Sequence, residues 1–129
     1  MRLLLDTHAL LWWVFADSKL SRRARTAIDN DAEHEILVSA ASAWEIATKY
    51  RIGKLPDARI VAENIAGTIA AEGFGELAVS VRHAERAGSL EGIHGDPFDR
   101  MLIAQAMLED LTLVSNERTF DAYGVKRLW

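Results

Sequence analysis

Five acidic side chains stand at positions where several carboxylates can act together. Two of them follow short apolar runs, and the other three lie at or near the predicted start of a helix. They are Asp6, Glu45, Asp96, Asp99 and Glu117. If the apolar runs are neighbouring parallel strands, their carboxyl ends meet at one edge of a sheet, where ligands commonly bind. The joint placement of these acids therefore favours a shared site.

Carboxylates gathered in one pocket repel one another. At ~5 Å and an effective dielectric constant of ~20, each like-charged pair costs about 3 kcal/mol. Such a pocket therefore either keeps some of its carboxyl groups protonated or holds a cation. Oxygen ligands together with water suit Mg²⁺ or Mn²⁺. An ion of this kind can polarise a phosphodiester, activate a water molecule and stabilise a leaving oxygen.

The acids also have local interpretations. Asp96 precedes a proline and suits the N-cap of a helix, and Asp99 can complete a capping box with it. Ser42 and Glu45 have the spacing of a second capping box. Glu45 with Lys49 forms a helical surface pair worth about 0.3–0.5 kcal/mol. A role for Glu45 in a site requires that its face of the helix line a cleft instead of open water.

Apolar runs and helical spacing alternate along the chain. The predicted strands are Arg2–Leu5, Glu35–Val38, Glu76–Val79, Leu111–Val114 and Val125–Trp129. The first four predicted helices run through Ala9–Phe15 after an Asp6-Thr7 cap, from Ser21 to about Asn30, through a stretch with Ala43, Ile46, Ala47 and Tyr50 on one side, and from Pro56 to about Gly73. The next two run from Val81 to Gly88 and from Pro97 to about Asp110. A last, short segment is capped by Ser115, contains Phe120 and Tyr123, and ends at Gly124. A loop through Gly92 and His94 precedes the Pro97 helix. This alternation predicts a mainly parallel sheet of about five short strands in a three-layer α/β/α domain.

Composition narrows the class of protein. The chain has 129 residues, of which half are hydrophobic and 26% are charged, with a net charge of −4 and no cysteine. We therefore expect one soluble domain over residues 1–129, without disulfides or thiolate metal sites, and a cytoplasmic location. Its longest apolar stretch, Leu3 to Ala16, is too short to span a membrane. Zincin, P-loop and dinucleotide-binding motifs are absent from the sequence.

Several motifs, in order along nearly the whole chain, resemble those of the PIN-domain ribonucleases, and among them the VapC-like toxins of toxin–antitoxin pairs. The motifs are Leu4–Trp12, Val38–Ala47, Gly53–Leu55, Asp96–Arg100 with Ile103–Ala106, and Leu113–Glu117 followed by Phe120. The resemblance implies a Mg²⁺- or Mn²⁺-dependent endoribonuclease in which a metal-activated water attacks an RNA phosphodiester.

The resemblance also implies roles for particular residues. Asp6, Glu45 and Asp99 match the family's metal-site acids, and Asp96 is an accessory acid or a cap. The fourth family acid is usually an aspartate, whereas Glu117 occupies that place here. Its longer side chain can still reach a second metal or a bridging water.

Four further side chains are candidate members of the site. Thr7 and Ser115 are candidates to orient water or substrate through hydrogen bonds, and Arg100 and Arg118 are candidate phosphate contacts. The resemblance implies a small antitoxin and a second copy of the chain as partners. Apolar surfaces near Trp12, Trp13 and the Val61–Ile69 stripe serve either these contacts or the core.

Two other interpretations stay open. The departure at Glu117 is compatible with a catalytically impaired PIN-like protein that only binds RNA or an antitoxin. A receiver-like phosphotransfer domain also places acids at strand ends, but it needs a phosphoacceptor aspartate with a distant lysine, and no such pair stands out in the sequence.

Overall fold

A computed structural model describes residues 1–92 and 95–129 of the chain. The predicted loop position His94 lies outside the described residues.

A five-stranded parallel sheet forms the centre of the fold. The strands are β1 (Arg2–Leu5), β2 (Glu35–Ser39), β3 (Gly75–Leu77), β4 (Thr112–Val114) and β5 (Arg127–Leu128), in the order β3-β2-β1-β4-β5. Every neighbouring pair is parallel. The expected parallel sheet of about five short strands is therefore confirmed, with boundaries that differ by a few residues at the sheet edges.

Helices connect the strands. The α-helices of the described residues are α1 (Thr7–Val14), α2 (Arg22–Asp29), α3 (Ala40–Arg51), α4 (Arg59–Ala62), α5 (Ile65–Ala71), α6 (Val81–Ser89) and α7 (Pro97–Glu109). Short 3-10 segments span Pro56–Ala58 and Arg118–Tyr123. Gly124 ends the second one, as predicted, and it adopts the left-handed conformation. None of the helices in these described ranges is both long and apolar enough to cross a membrane.

The two faces of the sheet bury different helices because successive side chains of a strand point to opposite sides. Leu3 and Leu5 of β1 pack in one cluster with buried residues of α1, α2, α4 and α5. Leu4 packs in the other cluster with α7 and Phe120. Helices therefore cover both faces, which confirms the three-layer α/β/α architecture.

The chain order places a topological switch point at the middle of the sheet. After β1 the chain extends the sheet on one side through β2 and β3, and it later returns to the other side of β1 to form β4 and β5. The backbone N–H of Asp6 donates to the carbonyl of Val114 at 3.1 Å, so the carboxyl ends of β1 and β4 lie together. Crevices at such points are the usual ligand sites of open parallel sheets.

The predicted long helix from Pro56 to about Gly73 is wrong, because the chain breaks it between α4 and α5. Asn64 caps α5 by accepting a hydrogen bond from the N–H of Gly67 at 3.1 Å. A Cβ on Gly67 would lie 2.2 Å from the Asn64 amide nitrogen, so the glycine makes room for this cap. The apolar spacing still holds across the break, since Val61 and Ile69 are both buried in the core.

The predicted capping box of Ser42 and Glu45 is also wrong. Helix α3 begins earlier, with Ser39 as its N-cap accepting from Ala41 N at 3.0 Å. Ser42 and Glu45 therefore lie inside the helix, and both are buried, whereas Ala47 of the predicted apolar stripe is exposed.

Ser115 does not cap the second 3-10 segment. Glu117 is its N-cap residue, and the hydroxyl of Ser115 accepts a hydrogen bond from the N–H of Glu117 at 2.9 Å.

Candidate active site

Asp6 joins the carboxyl end of β1 to the first turn of α1. It is the N-cap of α1, and its Oδ1 accepts a hydrogen bond from Ala9 N at 2.8 Å. Ser115, which follows β4, also hydrogen-bonds to this carboxylate. Burial raises the pKa of Asp6, and the hydrogen bonds from Ser115 and Ala9 oppose that rise. Two neighbouring strand ends thus hold one buried acid in place.

Glu45 projects from the second turn of α3 into the protein, where only 4% of the residue is exposed. Thr7 Oγ1 donates a hydrogen bond to its Oε1 at 2.5 Å, and Lys49 Nζ forms an ion pair with its Oε2. The predicted Glu45–Lys49 pair therefore forms, but it is partly buried instead of lying on the open surface. The face of α3 that carries Glu45 lines the site.

Asp96 and Asp99 come from the start of α7. Asp96 is the N-cap, as predicted, and its Oδ1 accepts from the N–H groups of Phe98 at 2.8 Å and Asp99 at 3.0 Å. The half-buried Asp99 carboxyl has its pKa raised to about 7, first by burial and then by the charges of nearby acids. In decreasing order of effect, these acids are Asp96, Glu45, Asp6 and Glu117.

The electrostatics of Asp99 show which predicted acids the fold brings together. Helices α1, α3 and α7 and the segment after β4 each supply a carboxylate whose negative charge is felt at Asp99. Glu117 is the most weakly coupled of them; it is exposed, and Thr119 Oγ1 donates to its Oε1 at 3.2 Å. The cluster therefore consists of four acids in or near the protein interior and one at its rim.

The chemistry of this donor set fits a divalent cation. Every ligand atom is a hard oxygen, and the pKa of Asp99, raised first by burial, is raised further by negative charges that a cation would compensate. As the side chains stand, no three acids or histidines among residues 1–92 and 95–129 are arranged to hold one ion. One reason is that both carboxylate oxygens of Glu45 already accept hydrogen bonds, from Thr7 and from Lys49.

Lys49 belongs to the site, although its spacing from Glu45 predicted only a surface pair. Partial burial lowers the pKa of its ammonium group, but the hydrogen bond and charge of Glu45 and the charges of Asp96 and Asp99 outweigh that effect and raise it. Its four-residue spacing from Glu45 was the one available signal. That spacing cannot tell whether the helix face is covered.

The two candidate phosphate contacts lie in different surroundings. Arg100 donates from Nε to the carbonyl of Ala87 at 3.1 Å and from Nη2 to that of Leu90 at 2.5 Å, so it ties α7 to the end of α6. Arg118 is exposed. Together with Arg127, which has the larger effect, it lowers the pKa of the fully exposed Asp121. Phosphate contact by either arginine stays a prediction.

An apolar hollow of about 420 Å³ lies between α3, α6 and α7. Trp44 and Phe98 line it, with their rings edge to face at 4.9 Å between centroids, and Trp44 is 64% exposed. Each aromatic residue directly precedes an acid of the cluster, Glu45 or Asp99. The hollow and the acid cluster therefore share the starts of α3 and α7 as walls.

Comparisons with known proteins agree with this geometry. Ribonuclease VapC16 of Mycobacterium tuberculosis is 67% identical over 30 residues, a match that spans 23% of this chain and 21% of that relative. Two solved structures each cover 98% of the chain. VapBC2 from Rickettsia felis, bound to a DNA fragment from its promoter, has a TM-score of 0.70 and 17% identity, and 97% of its own chain is covered. DNA-bound VapBC from Salmonella typhimurium has a TM-score of 0.71 and 16% identity, and 96% of its own chain is covered. At these identities the two structures establish a shared fold.

A family model described as the PIN domain matches residues 3–126, a range that includes most of β1, all of β2, β3 and β4, and every acid of the cluster, and that ends just before β5. With the sheet order, the acids at its switch point and this match over nearly the whole length in agreement, the chain belongs to the PIN-domain family.

Proposed function

We propose that the protein is a Mg²⁺- or Mn²⁺-dependent endoribonuclease and the toxin of a toxin–antitoxin pair. The observation that carries the proposal is the cluster of carboxylates around Asp99, whose pKa is raised to about 7 by burial and, after it, by the charges of those carboxylates. Membership of the PIN-domain family and the partial match to a protein named as a ribonuclease support it. We further propose that residues 1–129 act as one domain.

In this proposal Asp6 and Asp99 hold the cation, with Glu45 and Glu117 acting directly or through water. When bound, the cation supplies electrostatic stabilisation of the phosphodiester and the means to activate a water molecule. The protein's own residues supply the geometry. Ser115 orients the carboxylate of Asp6.

Four residues complete the arrangement. Thr7 fixes Oε1 of Glu45 through its hydrogen bond. With its pKa raised to about 7, Asp99 would be partly protonated at neutral pH, and the positive charge of a bound cation would favour its carboxylate form. Asp96 adds negative charge while its own Oδ1 serves as the cap of α7. Arg118, exposed beside the cluster's rim residue Glu117, is the better placed of the two arginines for a substrate phosphate.

The partners follow from the same proposal. The substrate is RNA, and a small antitoxin and a second copy of this chain are the protein partners. A solved structure of similar fold, with a TM-score of 0.54 and 21% identity, is described as a toxin–antitoxin complex from Klebsiella pneumoniae, which supports an antitoxin here. A cytoplasmic location goes with an RNA substrate and with the absence of cysteine.

Cleavage of a fluorescently labelled RNA with and without Mn²⁺ tests the proposal. Asp6→Asn and Asp99→Asn should each lower the rate on the order of 100-fold or more, because each removes a charged cation ligand. Asp31→Asn, at an exposed acid outside the cluster, is the matched control and should cleave like the parent protein. Metal-dependent cleavage that survives in Asp6→Asn at an unchanged rate would remove Asp6 from the mechanism.

A second candidate is a PIN-domain protein that binds RNA or an antitoxin without cleaving. The exposed position of Glu117 and its weak effect on Asp99 favour it. Calorimetric titration with Mn²⁺ separates the two. Carboxylate-dependent binding together with RNA cleavage supports the nuclease, whereas RNA binding without either supports the second candidate.

A further inference from the structure

Lys49 brings a positive charge into a cluster that otherwise consists of carboxylates. Its Nζ forms an ion pair with Oε2 of Glu45, and only 28% of its side chain is exposed. The ammonium also lies about 5.9 Å from the centre of the Phe98 ring, at the start of α7. Lys49 thus spans from α3 toward the segment that carries Asp96 and Asp99.

This ion pair differs from an ordinary helical surface pair. An exposed pair is screened by water and contributes little, whereas Glu45 is buried and surrounded by further carboxylates whose charges act on Lys49 as well. Removing the ammonium would leave the cluster with one more uncompensated negative charge. It would also release Oε2 of Glu45, while Thr7 would still hold Oε1.

We propose that Lys49 is the internal counter-ion of the carboxylate cluster and that it competes with a divalent cation for Glu45. The inference rests on the proposed function, since it assumes that a divalent cation enters this cluster. In the metal-free protein the Lys49 ammonium neutralises part of the charge and occupies Oε2. Entry of the cation displaces Lys49 from Glu45, and the affinity for the cation is lower by the free energy of that displacement.

A merely supporting role predicts the opposite result. If Lys49 only held Glu45 in a ligand orientation, removing it would weaken cation binding. If Lys49 competes with the cation, removing it strengthens binding. The two roles are therefore separated by the sign of the change in the dissociation constant for the metal, which is independent of RNA cleavage.

Calorimetric titration with Mn²⁺ measures that sign. Lys49→Met keeps an unbranched apolar stem beside Phe98 and removes the charge, and its dissociation constant should fall by about tenfold, given the screening at a partly exposed site. Lys49→Arg keeps the charge and should stay close to the parent value. Lys126→Met removes an exposed ammonium that pairs with Asp110 outside the cluster, and it should also leave the affinity unchanged.

A second measurement uses the parent protein and does not depend on the folding of a variant. The rate at which an amine-acylating reagent modifies Lys49 is followed by mass spectrometry with and without saturating Mn²⁺. Displacement from Glu45 should raise this rate several-fold, because a partly buried side chain that no longer pairs with Glu45 becomes more accessible to the reagent. Lys126 in the same sample serves as the internal control and should react at the same rate in both conditions.

The outcomes distinguish this inference from the proposed function. Equal or weaker Mn²⁺ binding by Lys49→Met, or a Lys49 acylation rate that Mn²⁺ leaves unchanged or lowers, overturns the counter-ion role and leaves a metal-dependent nuclease standing. Tighter binding by Lys49→Met, with Lys49→Arg near the parent value, supports it. If neither the parent nor Lys49→Met binds Mn²⁺ at the cluster, both the inference and the metal dependence fail.

Discussion

The hydroxyl of Thr7 donates a hydrogen bond of 2.5 Å to Oε1 of Glu45 and so connects the first turn of α1 to the second turn of α3. Both residues are buried. A buried carboxylate oxygen that loses its donor keeps the full penalty of desolvation. The position of Glu45 therefore depends on a residue that is distant in sequence and that follows Asp6 directly.

Replacing Thr7 by valine tests this dependence. Thr7→Val keeps the shape of the side chain but removes the donor, so the free energy of unfolding should fall by about 1–3 kcal/mol. RNA cleavage should fall as well, because Glu45 is no longer oriented. Thr7→Ser retains the hydroxyl and should recover most of both quantities. Urea unfolding and initial cleavage rates measure the effects, and a valine variant as stable as the parent would contradict them.

Divalent cations should stabilise the fold through the acid cluster. A ligand that binds only the folded state adds about 2.7 kcal/mol at a concentration 100 times its dissociation constant. The melting temperature of the parent protein should therefore rise with Mn²⁺ and return to its original value after chelation. Asp6→Asn should show little of this rise, whereas Asp31→Asn should show all of it. An equal rise in Asp6→Asn would place the bound metal elsewhere.

The stability of the metal-free protein should depend on pH through Asp99. Its pKa in the folded state, about 7, lies above the ordinary value of 3.8, so the folded protein holds this proton more tightly than the unfolded chain does. The stabilisation from the bound proton is complete below pH ~4 and is lost as the pH rises through ~7.

Unfolding free energies measured in a chelator at several pH values check this expectation. Asp99→Asn cannot ionise and should flatten the decline between pH ~4 and ~7, with its largest gain over the parent above pH ~7. Asp31→Asn, with its exposed side chain, should keep the slope of the parent protein. Parallel pH curves for the parent and Asp99→Asn would argue against a raised pKa at this position.

Asn64 offers a test of the fold that leaves the site alone. It caps α5 by accepting from Gly67 N, so Asn64→Ala should cost about 1 kcal/mol of stability. Asn64→Asp should restore most of that loss, because aspartate is an equally good cap. Cleavage rates below the melting transition should match the parent in both variants. A large loss of activity in Asn64→Ala would mean that the connection between α4 and α5 influences the site.

Local patterns were enough to predict the sheet and the start of α7. The three central strands, β1, β2 and β4, contain continuous apolar runs, which is the pattern of strands buried on both faces. Asp96 followed by Pro97 is a helix start that depends only on neighbouring residues. The observed bounds differ from the predicted ones at the two edge strands, β3 and β5.

The surroundings of Glu45 could not be predicted in the same way. Ser42, Glu45 and Lys49 have the spacing of both a capping box and a surface pair, and both patterns are local. Whether that face of α3 is covered depends on how α1 and α7 pack against it, which the spacing does not encode. The break at Asn64 was not predicted because the apolar stripe continues across it. The cap that begins α5 there involves only Asn64 and Gly67.

The pairing of β1 with β4 has a consequence for the newly made chain. Leu3 pairs with Thr112 and Leu5 with Val114, so the first strand acquires this neighbour only after most of the polypeptide has been synthesised. Until then the segment that carries Ser115 cannot reach Asp6, and α7 has no completed sheet to pack on. A nascent polypeptide on the ribosome therefore lacks the assembled acids until residues beyond Ser115 have emerged.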